Sequence, residues 1–210
     1  MVDPDTEAEP QYQTIVRMFY TERGLYASFQ MEQPTDTLVK WFSGRDQGRL
    51  KRDNVGVTLD TSGEGRYGYW FNLALGGNQI DGTVLPERQF SGDWDGAWYG
   101  QTSETDQGWN AEIFIPWGQV AMPKEAGART INAYVSRQVA HLDERWALPS
   151  LPFTQPLFMS RLQPLTVSEV DPKQQWSFFP FASVTQDEVD DETIMQAGAD
   201  FFIVNLILCH

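Results

Sequence analysis

The stretch "NVGVTLDTSGEGRYGYWFNLAL" (residues 54–75) decides the fold, because it contains two strand-like runs joined by a glycine-rich turn. Apolar residues occupy every second position in "VGVTLD" (55–60), and "YGYWFNLAL" (67–75) has the same period. Side chains on a β-strand point alternately to opposite faces of the sheet, so this period predicts strands with one buried face. The stretch therefore predicts two paired strands within an all-β domain.

The second run also places two other residues together on its opposite face. Its predicted buried face consists of Tyr67, Tyr69, Phe71, Leu73 and Leu75. Trp70 and Asn72 then lie side by side on the opposite face. A tryptophan outside the buried phase and next to an amide is a candidate ligand contact.

The same period recurs along most of the chain. Strands are predicted at 14–20, 24–31, 36–42, 97–103, 109–117, 131–140, 144–149 and 176–184. Turns rich in Gly, Asp, Asn and Pro separate them, which predicts an all-β fold: a β-sandwich or jelly-roll-like arrangement of two antiparallel sheets. Helical sequence is limited to single turns near 116–120 and 158–163, and the proline-rich stretch 149–172 is predicted to be a long packed loop.

Composition changes divide the chain into three parts. Residues 1–13 are polar and acidic, and are predicted to form a disordered leader. Residues 14–184 contain the predicted sandwich. Residues 185–210 begin with the acidic "TQDEVDDE" and continue into an apolar run, which predicts a linker and the start of a second region. The chain shows no signal peptide, and no apolar run is long enough for a membrane-spanning helix.

The charge restricts the class of partner. The 210 residues include 15 basic and 29 acidic side chains, which gives a formal net charge of −14. Such a charge repels phosphate backbones and anionic membrane surfaces, so nucleic-acid binding is not expected. The single cysteine, Cys209, cannot form an internal disulfide. A neutral ligand fits this composition best.

The sequence offers no catalytic motif and no convincing metal site. His141 and His210 are the only histidines, and no nucleophile elbow, zinc motif or P-loop is present. A glycosidase pair of carboxylates cannot be singled out among 29 acids. A calcium loop starting at Asp60 would need a ligand at Phe71, which has none to offer. No cofactor is predicted, although calcium bound by Asp53 or Asp60 with backbone carbonyls stays open.

The aromatic residues carry the functional prediction. The chain has eight tryptophans, and a sugar site needs an aromatic plane beside amides, carboxylates or guanidinium groups. The predicted ligand-binding residues combine both kinds of group: Trp70, Asn72, Trp94, Asp95, Arg45, Arg66 and Asp81. The four tryptophans predicted to belong to the core instead are Trp98, Trp109, Trp117 and Trp146.

Several stretches, taken in order, resemble the family 9 carbohydrate-binding-like domain found at the front of large bacterial outer-membrane proteins. They are "VRMFYTERGLYASFQ" (16–30), "SGRDQ" (43–47), "DNVGVTLDTSGEGRYGYWFNLALGGNQIDGTV" (53–84), "DWDGAWYGQTSETDQGWNAEIFIPW" (93–117) and "INAYVSRQVAHLDERW" (131–146). The resemblance covers roughly residues 14–165. It lacks the Asp-Gly strand with which the family usually begins, and His141 stands where a basic residue is common.

The resemblance implies a β-sandwich that binds a carbohydrate or glycan without catalysis, in the periplasm or at the outer membrane. It makes Trp70 and Trp94 candidates for a pair of rings around a sugar. It also implies a β-barrel region after the linker, of which this chain contains only the start, as in a truncated protein. The alternatives are a structural or plug domain of a barrel protein with no small ligand, and a glycoside hydrolase.

Overall fold

The computed structural model describes residues 1–123, 127–170, 176–187 and 192–203. It is an all-β structure whose sheets are antiparallel throughout, which confirms the predicted fold class. The strands are β1 (Thr14–Thr21), β2 (Gly24–Glu32), β3 (Asn54–Asp60), β4 (Gly68–Ala74), β5 (Gln79–Leu85), β6 (Gln89–Ser91), β7 (Tyr99–Thr105), β8 (Gly108–Pro116), β9 (Arg129–Val139), β10 (Glu144–Leu148), β11 (Gln163–Val167), β12 (Trp176–Asp187) and β13 (Glu192–Ile203).

Two sheets form the sandwich. The smaller has the strand order β1-β2-β8-β7, and the larger has the order β10-β9-β3-β4-β5-β6, with β11 also pairing with β9. Within the described residues the helical segments are 3-10 turns of three residues, two of which lie at the predicted positions 116–120 and 158–163. No helix there has the length and apolar character to cross a bilayer.

The main core lies between the two sheets. Alternate residues of β2 and β8 meet alternate residues of β3, β4 and β9, as the strand period requires. The inward face of β2, which consists of Leu25, Ala27, Phe29 and Met31, is buried. Trp98, Trp109, Trp117 and Trp146 are also buried, which confirms their predicted place in the core.

The turn between β3 and β4 shows why its sequence is rich in glycine. Gly63 and Gly65 both have a φ of +73°, a backbone conformation that side chains with a Cβ rarely adopt. The Asp60 carboxylate accepts hydrogen bonds from the backbone amides of Ser62, Gly63 and Gly65, at 2.7 to 3.0 Å. The aspartate therefore holds together a turn that only glycine can form without strain.

A second, smaller core covers the outer face of the larger sheet. It consists of Val84, Tyr134, Ala147, Leu151, Phe158, Met159 and Leu162. Two of these, Leu151 and Phe158, lie in the segment between β10 and the 3-10 turn at Met159–Arg161, which folds back over the sheet. The prediction of a packed loop at 149–172 is therefore correct in part, but it missed strand β11.

Three further details differ from the sequence predictions. Residues 36–42 do not form a strand, because their backbone is tied to Asp53: the Val39 amide donates to the Asp53 carboxylate at 2.9 Å, and the Val39 carbonyl accepts from the Asp53 amide at 3.0 Å. The short strand β6 was not predicted. Tyr67 precedes β4 and is exposed rather than buried.

The ends of the chain make contacts of their own. Val2 forms an isolated β-bridge with Ala147, so the predicted disordered leader touches β10 in the structure. Strand β12, which contains the predicted strand 176–184, pairs with β13 in a separate two-stranded sheet. The acidic run 185–192 therefore lies partly in these strands, and its residues 188–191 are outside the described part, as are 204–210. The boundaries between sandwich, linker and second region stay predictions.

Candidate functional site

Three of the seven predicted site residues, Arg45, Asp81 and Asp95, meet beside strand β5 of the larger sheet. Asp81 on β5 is fully buried, and its carboxylate accepts hydrogen bonds from Arg45 Nη2 at 2.7 and 2.8 Å. The same carboxylate accepts from the Gly96 amide at 2.8 Å and from Trp98 Nε1 at 3.0 Å. Arg45 Nε also pairs with Asp95 at 3.3 Å. This network joins the loop before β3 to the segment before β7.

A third carboxylate, Asp46, borders this network. One carboxylate oxygen from each of Asp46, Asp81 and Asp95 lies within 4.8 Å of the other two, a spacing that could hold a cation. The Arg45 guanidinium, however, is already in ion-pair contact with all three. Partial burial raises the pKa of the Asp46 carboxyl, an effect that Arg45 opposes. The cluster is therefore an internal ion-pair network.

The two aspartates considered as calcium ligands are occupied by internal donors. The Asp53 carboxylate accepts from Gln33 Nε2 and from the amides of Val39 and Ala140, at 2.8 to 3.0 Å. The Asp60 carboxylate accepts from its own turn and from Asn132 Nδ2. A cation would have to displace these donors, so these residues do not fit a calcium site.

The other predicted residues lie elsewhere. Trp70 is half-buried against the second core, and its Nε1 donates to the carbonyls of Thr83 and Ser91 at 3.1 and 3.3 Å. Its neighbour Asn72 covers Gly56, where any Cβ would collide with the Asn72 Oδ1.

Trp94 is half-buried, because it packs on Tyr69 with ring centroids 4.8 Å apart. Arg66 is exposed on the β3–β4 turn, where it pairs with Glu64 at 3.7 Å. The structure thus brings Arg45, Asp81 and Asp95 together, and uses Trp70 and Trp94 mainly for packing.

A continuous aromatic surface, which the sequence analysis did not single out, lies on the outer face of the smaller sheet. Phe19, Tyr26, Phe114 and Tyr99 come from β1, β2, β8 and β7 and are direct cross-strand neighbours in that order. All four point away from the core. They form one row across the whole sheet, which we call the aromatic row.

The rings of the aromatic row stack on one another. Phe19 and Tyr26 have centroids 4.7 Å apart and planes 2° apart, and Tyr26 and Phe114 have centroids 4.4 Å apart with planes at 20°. These distances are too short for rings side by side in one plane, so the rings are offset-stacked. Tyr99 continues the row 6.0 Å from Phe114. The two end rings are the most open: Phe19 is 58% and Tyr99 65% exposed.

Polar side chains follow the aromatic row on the same face. The next row of side chains on this face lies two positions from each ring on the same strand. Its members are cross-strand neighbours, and we call them the polar row: Arg17, Ser28, Glu112 and Gln101. A groove of about 760 Å³ is lined by the aromatic row, by Ser28, Glu112 and Gln101, and by Gln79 beyond β7. This groove combines ring surfaces with hydroxyl, amide and carboxylate groups.

The Arg45 network supports one wall of this groove. Gln79 Oε1 accepts from Arg45 Nη1 at 3.0 Å, and Gln79 Nε2 donates to the Trp98 carbonyl at 3.1 Å. The Gln79 amide is thereby held in place at the rim next to Tyr99. The predicted residues Arg45 and Asp81 thus lie behind the groove rather than in it.

No protein-family model and no curated protein matches the sequence. Among solved structures, the chain is similar to a Bacteroides uniformis protein provisionally described as carbohydrate-binding. The two share 14% identity, with a TM-score of 0.58 over 75% of this chain and 79% of that chain.

The chain is also similar to a family 9 carbohydrate-binding module (CBM9) from Caldicellulosiruptor kristjanssonii in complex with cellotriose, at 13% identity and a TM-score of 0.47 over 67% and 65% of the two chains. A CBM9 from the same organism in complex with glucose gives 14% identity and a TM-score of 0.42, with 70% of each chain covered. The match with the Bacteroides uniformis protein defines the fold class as a β-sandwich and confirms the predicted resemblance at the level of the fold.

Proposed function

We propose that this chain is a non-catalytic carbohydrate-binding module, and that its sugar contacts are the aromatic row and the polar row. The single observation that carries the proposal is the exposed aromatic row beside polar side chains. Contiguous exposed apolar patches commonly mark binding sites. Ring surfaces fit the C–H faces of a sugar, while amides and hydroxyls fit its hydroxyl groups.

Tyr99 is the central contact in this proposal. It is the most exposed ring of the row, and it lies where the groove passes between β7 and Gln79. Its ring can take one face of a sugar, while the amides of Gln79 and Gln101 bond to hydroxyls. Arg45 acts as a positioning residue, because it holds Gln79 at the rim.

A hydrolytic function receives less support from the same groove. Hydrolysis of a glycosidic bond requires two carboxyl groups on either side of the bond. Among the described residues that line the groove, Glu112 supplies the one carboxylate. The three clustered carboxylates near Arg45 are bonded to that arginine. Binding without catalysis is therefore the function that the groove supports best.

The cellular setting is also part of the proposal. The sequence resemblance to domains at the front of bacterial outer-membrane proteins supports a module that acts in the periplasm or at the outer membrane. In that setting its ligand would be a glycan that the bacterium takes up or displays. The net charge of −14 favours a neutral glycan over a strongly acidic one.

The test is a glycan-array screen of the purified chain, followed by calorimetry on each hit with Tyr99→Ala. Removal of the Tyr99 ring is expected to weaken glycan binding about tenfold, which corresponds to about 1.4 kcal/mol. The matched control is Phe153→Ala, because Phe153 is 55% exposed and packs against Arg88, away from the groove. This control is expected to bind normally.

Three outcomes would decide the matter. Binding that is lost in Tyr99→Ala and kept in Phe153→Ala supports the proposal. Binding that survives Tyr99→Ala but is lost in Trp70→Ala or Trp94→Ala would move the site to the residues first predicted. The absence of any glycan binding would favour the structural-domain alternative and overturn the proposal.

A further inference from the structure

The outer face of the smaller sheet continues well beyond the aromatic row. After the polar row, the next cross-strand neighbours are Ile15, Gln30, Asn110 and Ser103, which we call the amide row. Their side chains point to the same face, because each lies two positions from a member of the polar row. The face therefore carries three successive rows.

A second groove lies at the far end of this face. Its volume is about 320 Å³, and its lining includes Ile15, Gln30 and Asn110 of the amide row. It extends further to Gln13 before β1 and to the β7–β8 turn at Asp106 and Gln107. The amide row thus lines a second polar groove on the same face as the aromatic row.

The length of this surface exceeds that of a single sugar. Phe19 and Gln13 are separated by six positions along β1 and its entry, which corresponds to about 20 Å at the rise of an extended strand. That distance is several times the width of one pyranose ring. A ligand that contacts both grooves must therefore be a chain of several sugars lying along the strands.

The charges on the face fit a neutral chain. In the polar row, Arg17 and Glu112 have opposite charges, and Ser28 and Gln101 are uncharged. The amide row carries no charge. The second groove adds the carboxylates of Glu32 and Asp106, which can accept hydrogen bonds from sugar hydroxyls and repel an acidic chain. Amides and hydroxyls at regular strand spacing offer hydrogen bonds to repeated hydroxyl groups without selecting an ionic ligand.

We infer that the smaller sheet binds an internal stretch of a neutral, extended polysaccharide along β1, β2, β8 and β7, rather than a single sugar or a chain end. The inference rests on the proposed function and specifies its ligand. The aromatic row holds one part of the chain by ring contacts, and the amide row holds the next sugars by hydrogen bonds. Affinity therefore depends on the number of linked sugars.

The test is calorimetry of the full chain with neutral oligosaccharides of one to six units from the cello-, xylo-, manno- and laminari- series, together with the same hexamers after borohydride reduction of their ends. The affinity for the best hexamer is expected to exceed that for its disaccharide by about tenfold or more. Reduction of the chain end is expected to leave hexamer binding unchanged, because an internal stretch does not use the end.

A double variant isolates the amide row. Gln30→Ala with Asn110→Ala is expected to lower the affinity for the hexamer and to leave the affinity for the disaccharide unchanged, whereas Tyr99→Ala weakens both. Phe153→Ala serves as the control for both ligands.

Equal affinity for monosaccharide and hexamer, or loss of binding after reduction of the end, overturns the inference while the proposed function stands. The absence of binding to every series overturns both.

Discussion

Replacement of Asp81 by alanine tests the network that supports the groove. The substitution leaves two buried donors, the Gly96 amide and Trp98 Nε1, without the acceptor that they now bond at 2.8 and 3.0 Å. An unpaired buried donor costs about 1 to 3 kcal/mol, so the pair costs about 2 to 6 kcal/mol. Arg45 contributes less to this sum, because its side chain is 36% exposed and water can replace the lost carboxylate.

The expected decrease in the free energy of unfolding is therefore about 3 to 4 kcal/mol, a large part of the 5 to 15 kcal/mol typical of a domain. Urea unfolding followed by tryptophan fluorescence measures it, and buried Trp98 is itself a reporter. The matched control is Asp95→Ala, which removes an ion pair with the same arginine from a side chain that is 70% exposed. This control is expected to change stability by no more than about 0.5 kcal/mol. A decrease below about 1 kcal/mol for Asp81→Ala, or equal decreases for the two variants, would refute the reasoning.

Two further predictions concern residues outside the proposed sugar contacts. Trp70→Phe removes the two hydrogen bonds from Nε1 to backbone carbonyls, so it is expected to lower stability by about 1 kcal/mol without changing the affinity for any glycan hit, as urea unfolding and calorimetry would show. A tenfold loss of glycan affinity would contradict this packing role. Asp46→Asn tests the raised pKa of the Asp46 carboxyl. A raised pKa means that ionisation of this group opposes folding at a pH above the ordinary pKa of 3.8. The variant is therefore expected to be at least as stable as the parent at pH 7, and the difference in stability is expected to vanish below pH 3.8. A variant that is less stable than the parent at pH 7 but equally stable in acid would contradict this prediction, because ionised Asp46 would then favour folding.

The alternation of apolar and polar residues predicted most of the strands, because the burial of one face can be read from the sequence of each strand by itself. Strands β3 and β4 lie almost where the alternation in residues 54–75 places them. Residues 36–42 were predicted wrongly for a reason that lies outside the segment. Their backbone bonds to Asp53, which lies 14 positions after Val39 in the sequence. No pattern within residues 36–42 reveals such a partner.

The candidate site was harder to predict, because it depends on register between strands. The sequence shows that Tyr26 lies on the outer face of β2, but not which residues stand beside it. Phe19, Phe114 and Tyr99 become its row only when the three strand pairs are aligned. Since a shift of one residue would turn each ring to the other face, the row is a product of tertiary pairing.

The surroundings of Trp70 illustrate a second limit of strand alternation. Strand alternation correctly separates Trp70 from the main core, but an outer face can itself be covered. Here the segment after β10 folds over the larger sheet and provides Leu151 and Phe158 for a second core. The smaller sheet has no such cover in the described part of the chain, so its aromatic side chains stay exposed. Which face of a sandwich stays open therefore depends on where its connecting segments pack, and in this protein the segment after β10 packs on the larger sheet and leaves Phe19 and Tyr99 on the smaller sheet exposed.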